Sequence, residues 1–382
     1  MNYNKYNKIS KKYIQKYKNK IDKIKYRYKK AIKTIDNKSF MKLCKKHRKL
    51  TIKIIKKISK EFFKDYKKDI IILTSGSLAR HSNNLYSDID LNIFTNNYEF
   101  EKIIELEDLI ANLLYKIMNF KGRDKIHSMA VYLPLISSKK IDMSNNSYIK
   151  TLDNKKIVIN CRPNSEQLIF ENYNSTRNIN NILEYLNKND TINSLNEWSN
   201  CFEIIYSKGK LKKLYNNQRK KCNDITNLTI FIDNLISKIN KDDKIILHNR
   251  IKNSDLKEIV KTNTLFNTYA MLAIVYRYEK KIKKFNLDEF YSKSSIISKE
   301  EIEKIFNHLK NVQNLQIILD SNKIDLTSHS NKVIDINKIN KQYKKMFNKN
   351  NIINDLILSK KELYDMIKKI LNKIRRDLYE QK

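Results

Sequence analysis

Apolar residues recur every three or four positions from the start of the chain, at 3, 6, 9, 13, 17, 21, 24, 28, 32 and 35. This spacing puts them on one stripe of a helix and predicts a helix over about 3–35. Tyr3, Tyr6, Tyr13, Tyr17 and Tyr28 dominate the stripe, and Lys fills the other faces. A second helical pattern follows Ser39, through Phe40, Leu43, His47, Leu50, Ile54, Ile58 and Phe62. Near residue 70 the period changes. DIIILTSGS is a short apolar run ending in a small-residue turn, which reads as a buried strand and a loop. SDIDLNIF alternates as a strand from about Asp88, and residues 98–119 return to helical spacing. SMAVYLPLI, KKIDMS and KIVINC are three further short strand candidates.

From Ser165 onward the pattern is again mainly helical, clearest in NLTIFIDNLISKI, TLFNTYAMLAIVYRYEKKI and EEIEKIFNHLKNVQNLQIIL. Ser298–Glu301 and Ser359–Glu362 both have capping-box spacing and predict helix starts. KIDLTS and KVIDIN interrupt this region with short β-like stretches. The fold class expected is α+β, a small mixed sheet flanked by a helical N-terminal extension and a mainly helical C-terminal region. The expected divisions are a basic helical region over 1–63, an α/β unit over 64–162 and a helical region over 163–382.

Composition sharpens this picture at one point. The chain has 382 residues, 41% of them hydrophobic, and a net charge of +37. A surface this positive attracts polyanions. Nucleic acid is the first candidate, anionic membrane the second, and a solvated lysine face the bland alternative. Part of the lysine excess reflects AT-rich codons, but codon usage does not remove the field. The tyrosine stripe has two readings in this light: the buried face of a packed helix, or aromatic faces for stacking RNA bases. Amphipathicity favours the first, which leaves the neighbouring lysines as the RNA-contact candidates.

No apolar run is long enough to span a bilayer, and MNYNKYNKISKKY has no apolar signal core. Cys44, Cys161, Cys201 and Cys222 form no CxxC pair, so neither a structural zinc nor a disulfide framework is expected. An intracellular, cytoplasmic setting without a membrane partner is the expectation.

The chemistry concentrates in Ser75-Gly76-Ser77, a ten-residue gap after Ser77, and Asp88-Ile89-Asp90. On a strand, Asp88 and Asp90 share one face while Ile89 and Leu91 enter the core. Two carboxylates side by side repel, and a divalent cation between them relieves the repulsion; Mg²⁺ prefers such oxygen ligands. Gly76 permits close backbone approach to a phosphate, and the Ser77 hydroxyl can donate to it. A third carboxylate is expected on a neighbouring strand. Asp142, in Lys140-Ile141-Asp142-Met143, meets that demand, with Asp153 in a turn as its competitor.

With these residues in view, the segment Ile71–Phe94 together with Asp142 resembles the nucleotidyltransferase superfamily of the DNA polymerase beta type. Within it, Tyr86-Ser87-Asp88-Ile89-Asp90-Leu91 resembles the poly(A) polymerase catalytic subunits of poxviruses and giant DNA viruses. The resemblance implies two Mg²⁺ (or Mn²⁺) ions on Asp88, Asp90 and Asp142. It implies ATP as donor, an RNA 3′ end as acceptor, and Gly76 and Ser77 on the phosphates. It also implies either a homodimer or a separate processivity subunit.

Lys208 begins a basic cluster, YSKGKLKKLYNNQRKK, that can bind nucleotide phosphates or simply form a solvated helix face. Arg80 and His81 follow the Gly-Ser turn, either touching phosphate or lying in an exposed loop. Trp198 reads as core. Two other functions remain open on the sequence: a nucleotidyltransferase acting on a tRNA 3′ end or a small molecule, and an inactive relative serving as an RNA-binding or assembly subunit.

Overall fold

A computed structural model describes residues 3–64, 69–74, 76–95, 100–120, 126–132, 147–150, 156–159, 203–213, 216, 228–242, 250–252, 264–279, 281–282, 285–322 and 333–380. The chain divides into two units. Unit 1 comprises Met1–Asp22, Lys49–Ala79 and Asp88–Thr226, and unit 2 comprises Lys23–Arg48, Arg80–Ser87 and Asn227–Lys382. The fold is mixed α+β, as the alternation of periods predicts.

Two long helices open the chain, α1 (Tyr3–Lys30) and α2 (Asn37–Phe62). The first ends a few residues earlier than its apolar spacing suggests, in the turn around Ala31–Thr34. The second starts where the Asp36 carboxylate accepts from the Ser39 amide at 2.6 Å, satisfying one of the amides left free at a helix start. Tyr6, Tyr13, Tyr17 and Tyr28 of the tyrosine stripe are core. In unit 1, Tyr6 packs edge-on against Phe62, and the Tyr13 hydroxyl reaches the Lys57 carbonyl and the Glu61 carboxylate in the same last turns of α2. In unit 2, Tyr28 is fully buried against Phe40, and its hydroxyl donates to Asn314 Oδ1 at 2.6 Å.

The sheet of unit 1 is built from β1 (Ile70–Thr74), β2 (Ile89–Thr95), β3 (Ile126–Tyr132) and a later strand, Glu203–Lys208, in the order β3, β2, β1, then the later strand. Between β1 and β2 lies the single turn of helix α3 (Gly76–Ala79). Between β2 and β3 lies α4 (Phe100–Met118). That helix is the crossover a parallel pair requires, and β2 and β3 are parallel, with Asp90 opposite His127. A separate two-stranded sheet pairs β4 (Ser147–Lys150) with β5 (Lys156–Ile159), so the first four residues of KIVINC form a strand outside the main sheet. The fourth strand of the main sheet is therefore β6, Glu203–Lys208, in a stretch whose sequence pattern reads as helical.

One face of the main sheet is buried by helices. Ile70, Ile72, Ile89, Leu91, Ile93 and Ile126 join Tyr13, Tyr17 and Ile21 of α1, Ile54, Ile58 and Phe62 of α2, and Ile110, Leu113, Leu114 and Ile117 of α4 in one cluster. Trimming one of these isoleucines to Ala costs about 2–5 kcal/mol, because the hole cannot close around it.

Unit 2 is mainly helical, with one short antiparallel pair, β7 (Arg250–Lys252) and β8 (Val333–Asp335). Its core gathers Leu315, Ile318, Ile339, Tyr343, Ile352 and Leu356. The Ser298–Glu301 capping box forms in both directions: the Ser298 amide donates to Glu301 Oε2 at 2.8 Å, and the Glu301 amide to Ser298 Oγ at 3.2 Å. The second box does not form. Ser359 lies inside the helix Ile352–Glu380, where its hydroxyl meets His308 Nδ1 at 2.8 Å. That helix starts about two turns earlier, where Asn351 Oδ1 accepts from the amides of Ile353 and Asn354. Capping-box spacing carries no information about what a serine meets in the core, and here a buried histidine claimed the hydroxyl.

Candidate active site

The site is built at one end of β1 and β2. β1 runs antiparallel to β2 with Thr74 opposite Leu91, so the turn after Thr74 lies beside the first residues of β2. Ile89 and Leu91 are buried at 2% and 1% exposure, while Asp88 and Asp90 are half-buried. The alternation thus sends the two carboxylates away from the helix-covered core, as the D-h-D pattern predicts. Thr74 Oγ1 donates to the Asp90 backbone carbonyl at 2.8 Å and fixes the two strands to each other at this level.

Gly76 completes the arrangement. Its φ is +62°, in the left-handed region that side-chain-bearing residues avoid. A Cβ built on Gly76 would also collide with the Asp90 carboxylate. Two independent constraints, the dihedral and the collision, therefore demand glycine. The consequence is that the backbone of the Gly-Ser turn lies directly against one of the two carboxylates. Ser77 follows in the same short turn of helix.

The intervening loop is held by its own polar groups. The Asn84 amide donates to Ser87 Oγ and the Tyr86 amide to Asn84 Oδ1, both at 2.8 Å, which makes a closed side-chain-to-backbone turn just before Asp88. Within unit 2, the Leu85 amide donates to Gln313 Oε1 at 2.8 Å. Arg80 and His81 are both engaged there as well. The Arg80 guanidinium lies over the Tyr269 ring at 4.1 Å, and His81 Nδ1 meets Asp288 Oδ2 at 2.9 Å. Lys45 reaches the other oxygen of Asp288 at 3.3 Å. The His81 hydrogen bond, with Lys45 in support, draws the Asp288 carboxyl down to about 2 against the cost of burial. Arg80 and His81 thus act in packing the loop, a role the sequence does not announce.

Lys208 is not brought to the carboxylates. It ends β6 opposite Ile70, at the other end of β1 from Thr74, about 13 Å along the strand. Its ammonium donates to the Lys64 carbonyl after α2. Nearest the site on β6 is Glu203, opposite Thr74, beyond an irregularity in pairing at Ile72 and Leu73. Asp142, Asp153 and Trp198 lie outside the described residues. Among the described residues no group of three His, Cys, Asp or Glu side chains is close enough to hold a metal. Asp88, just before β2, and Asp90, two residues on inside it, are two half-buried carboxylates of the oxygen-only donor type suited to Mg²⁺, and a metal held by them needs a third ligand from elsewhere.

Residues 52–164 match the nucleotidyltransferase domain family. The matched nucleotidyltransferase segment opens within α2, contains Gly76, Ser77, Asp88, Asp90 and Asp142, and stops before β6. No curated protein matches the chain in sequence. Among the described residues no helix is long and apolar enough to cross a membrane.

Proposed function

We propose that the chain is a template-independent RNA nucleotidyltransferase, a polynucleotide adenylyltransferase that adds AMP from ATP to RNA 3′ ends. The observation that carries the reading is the Gly76 backbone lying against the Asp90 carboxylate inside a segment that matches a nucleotidyltransferase domain. A nucleotide's phosphates and a carboxylate-bound cation need to meet at one point, and this contact supplies one. The resemblance to viral poly(A) polymerases and the charge of +37 favour RNA as acceptor over a small molecule. Such an enzyme would work in the cytoplasm of an infected cell, as a homodimer or with a separate processivity subunit.

In this reading Asp88, Asp90 and Asp142 would hold two Mg²⁺ or Mn²⁺ ions. When bound, these ions neutralise the triphosphate and lower the pKa of the attacking hydroxyl. Asp90, fixed by the Thr74 bond to its carbonyl, keeps its carboxylate at the turn. The Ser77 hydroxyl and the backbone after Gly76 orient the β- and γ-phosphates. The RNA 3′-oxygen forms a bond to the α-phosphorus of ATP while the bond from that phosphorus to the α,β-bridging oxygen breaks. The 3′-hydroxyl proton goes to solvent, and pyrophosphate leaves. The region 163–382 contributes nucleotide and RNA contacts.

The test is to incubate the pure protein with an oligo(A) primer, Mg²⁺ and each NTP separately. Extension with ATP above the other three is expected. Equal use of all four would reduce the reading to a general terminal transferase, CTP followed by ATP on tRNA would point to CCA addition, and no extension with any NTP would overturn it.

A further inference from the structure

Lysine is not spread evenly over this protein. α1 carries twelve basic residues and one acidic, and α2 ten and one. The helix Lys299–Ser321 carries three basic and four acidic, and Ile352–Glu380 seven and five. Codon bias acts on the whole chain, so it does not account for a difference between helices of the same chain. The first two helices hold more than half of the net charge of +37.

Within unit 1 the charge on α1 is ordered. Lys8, Lys12, Lys16 and Lys20 are all exposed and follow one another at four-residue spacing. They form a ridge that winds gently round the helix, with neighbours about 6 Å apart and a rise of about 18 Å along the axis. The Lys12 ammonium lies 5.7 Å from the centre of the Tyr13 ring, and those of Lys16 and Lys20 lie 5.8 and 5.9 Å from the centre of the Tyr17 ring. The buried tyrosines thereby steady the charged ends above them. The acids of these helices are occupied: Asp22 accepts from Asn119, and Glu61 from the Tyr13 hydroxyl. Like charges four apart destabilise a helix by about 0.2–0.5 kcal/mol per pair, so the ridge costs stability unless something anionic lies along it.

We infer that the Lys8–Lys12–Lys16–Lys20 ridge is a track for the phosphate backbone of single-stranded RNA. A regular row of cations fits a regular row of phosphates. A membrane is disfavoured because a surface-lying helix inserts its apolar face, and the apolar face of α1 is spent on the core of unit 1. The inference rests on RNA being the acceptor, and it names the surface that carries the strand outside the catalytic pair.

The experiment measures binding without any NTP, so it is independent of catalysis. A fluorescein-labelled oligo(A) 20-mer is titrated by anisotropy across a salt series. The variants replace Lys8, Lys12, Lys16 and Lys20 together with Gln, or Lys361, Lys369, Lys373 and Arg376 of the last helix with Gln, an equal loss of charge. Gln keeps helix propensity, and removing like-charge pairs leaves α1 at least as stable. Four lost phosphate contacts should flatten the slope of log K against log salt by about 3 and weaken binding at 0.1 M salt by about several hundredfold. The last-helix variant should change the slope by less than 1. Equal losses in both variants would overturn the track, since only the overall field would then matter. Loss of binding to phosphatidylserine vesicles with unchanged RNA affinity would overturn it in favour of a membrane. If the ridge variant binds normally while wild-type primer extension proceeds, the track fails and the enzymatic reading stands.

Discussion

The sheet end that carries Asp88 and Asp90 and the lysine ridge of α1 are both regions of unit 1, and they are specified in opposite ways. At the sheet end every element is tied to one geometry. Thr74 binds the Asp90 carbonyl, Gly76 combines a φ of +62° with a backbone that leaves no room for a Cβ beside the Asp90 carboxylate, and the alternation of β2 fixes the face that Asp90 takes. On the ridge no lysine depends on another, and four exposed ammoniums differ only in position along one helix. Geometry of the first kind fails at a single residue. Charge of the second kind fails by degrees. The proposed roles, bond-making at the first and holding a polymer at the second, would call for this difference for a physical reason: chemistry needs atoms placed within fractions of an ångström, whereas counterion release adds up contact by contact.

The largest effect should therefore come from one carboxylate. Asp90→Ala should reduce primer extension by about a thousandfold or more, with the fold retained by circular dichroism. Asp142→Ala should produce a loss of similar size, while Asp153→Ala should extend the primer normally. Full activity of Asp142→Ala alongside a dead Asp153→Ala would move the third ligand to Asp153. Either result separates the proposed catalytic pair from the ridge, because RNA affinity measured without NTP should hardly change in any of the three.

Gly76→Ala comes next. The added methyl group must displace the Asp90 carboxylate, and the left-handed dihedral costs about 1–2 kcal/mol more. Displacing a reacting group by about an ångström is worth up to about a hundredfold in rate. We expect a loss of ten- to a hundredfold in kcat with little change in RNA affinity. A Gly76→Ala enzyme of normal kcat would show that the contact with Asp90 is incidental.

A single substitution on the ridge should be much milder. Lys16→Gln should weaken oligo(A) binding at 0.1 M salt by about fivefold, and successive replacements should multiply. A collapse of binding at the first replacement would mean that one lysine is a specific contact, and the contrast between the two regions would fall.

The smallest effect at neutral pH concerns the inside of α2. His47 is buried, and burial, with Lys25 adding to it, holds its pKa down at about 3. The folded value lies below the unfolded one, so folding favours the neutral ring. Stability is present above about pH 6.5 and is lost as pH falls toward 3, by about 3 kcal/mol between pH 6.5 and 4. His47→Leu should flatten that acid limb in melting experiments and leave primer extension at pH 7.5 unchanged. An unaltered limb would show that other groups govern acid unfolding. The same helix thus displays cations outward and excludes one inward.

Local features of the fold could be read from the chain, and features that need a distant partner could not. The tyrosine stripe declared the buried face of α1 because a helix face is set by residues four apart. The Ser298 box was legible for the same reason. β6 was not, since Glu203–Lys208 becomes a strand only by pairing with β1, more than a hundred residues earlier, and six residues hold too little pattern to oppose a basic helical context. Lys208 was drawn toward the nucleotide by its charged neighbours, whereas pairing carries it to the far end of β1. The acids Asp88 and Asp90 were legible from alternation. Their contact with Gly76 was not, because neither a positive φ nor a close approach leaves a mark on neighbouring letters beyond the glycine itself.

The late arrival of β6 also bears on how the protein comes into being. β1 is flanked by β2 on one side, made within twenty residues, and by β6 on the other. A ribosome that has just released residue 164, where the family match ends, has produced β1 with one row of backbone amides and carbonyls still open. Such an edge is a template for pairing with another chain. An isolated 52–164 fragment would carry the same open edge permanently, and would lack the α1 tyrosines that cover the sheet. It should self-associate, and adding residues 1–51 and 165–213 should return it to solution.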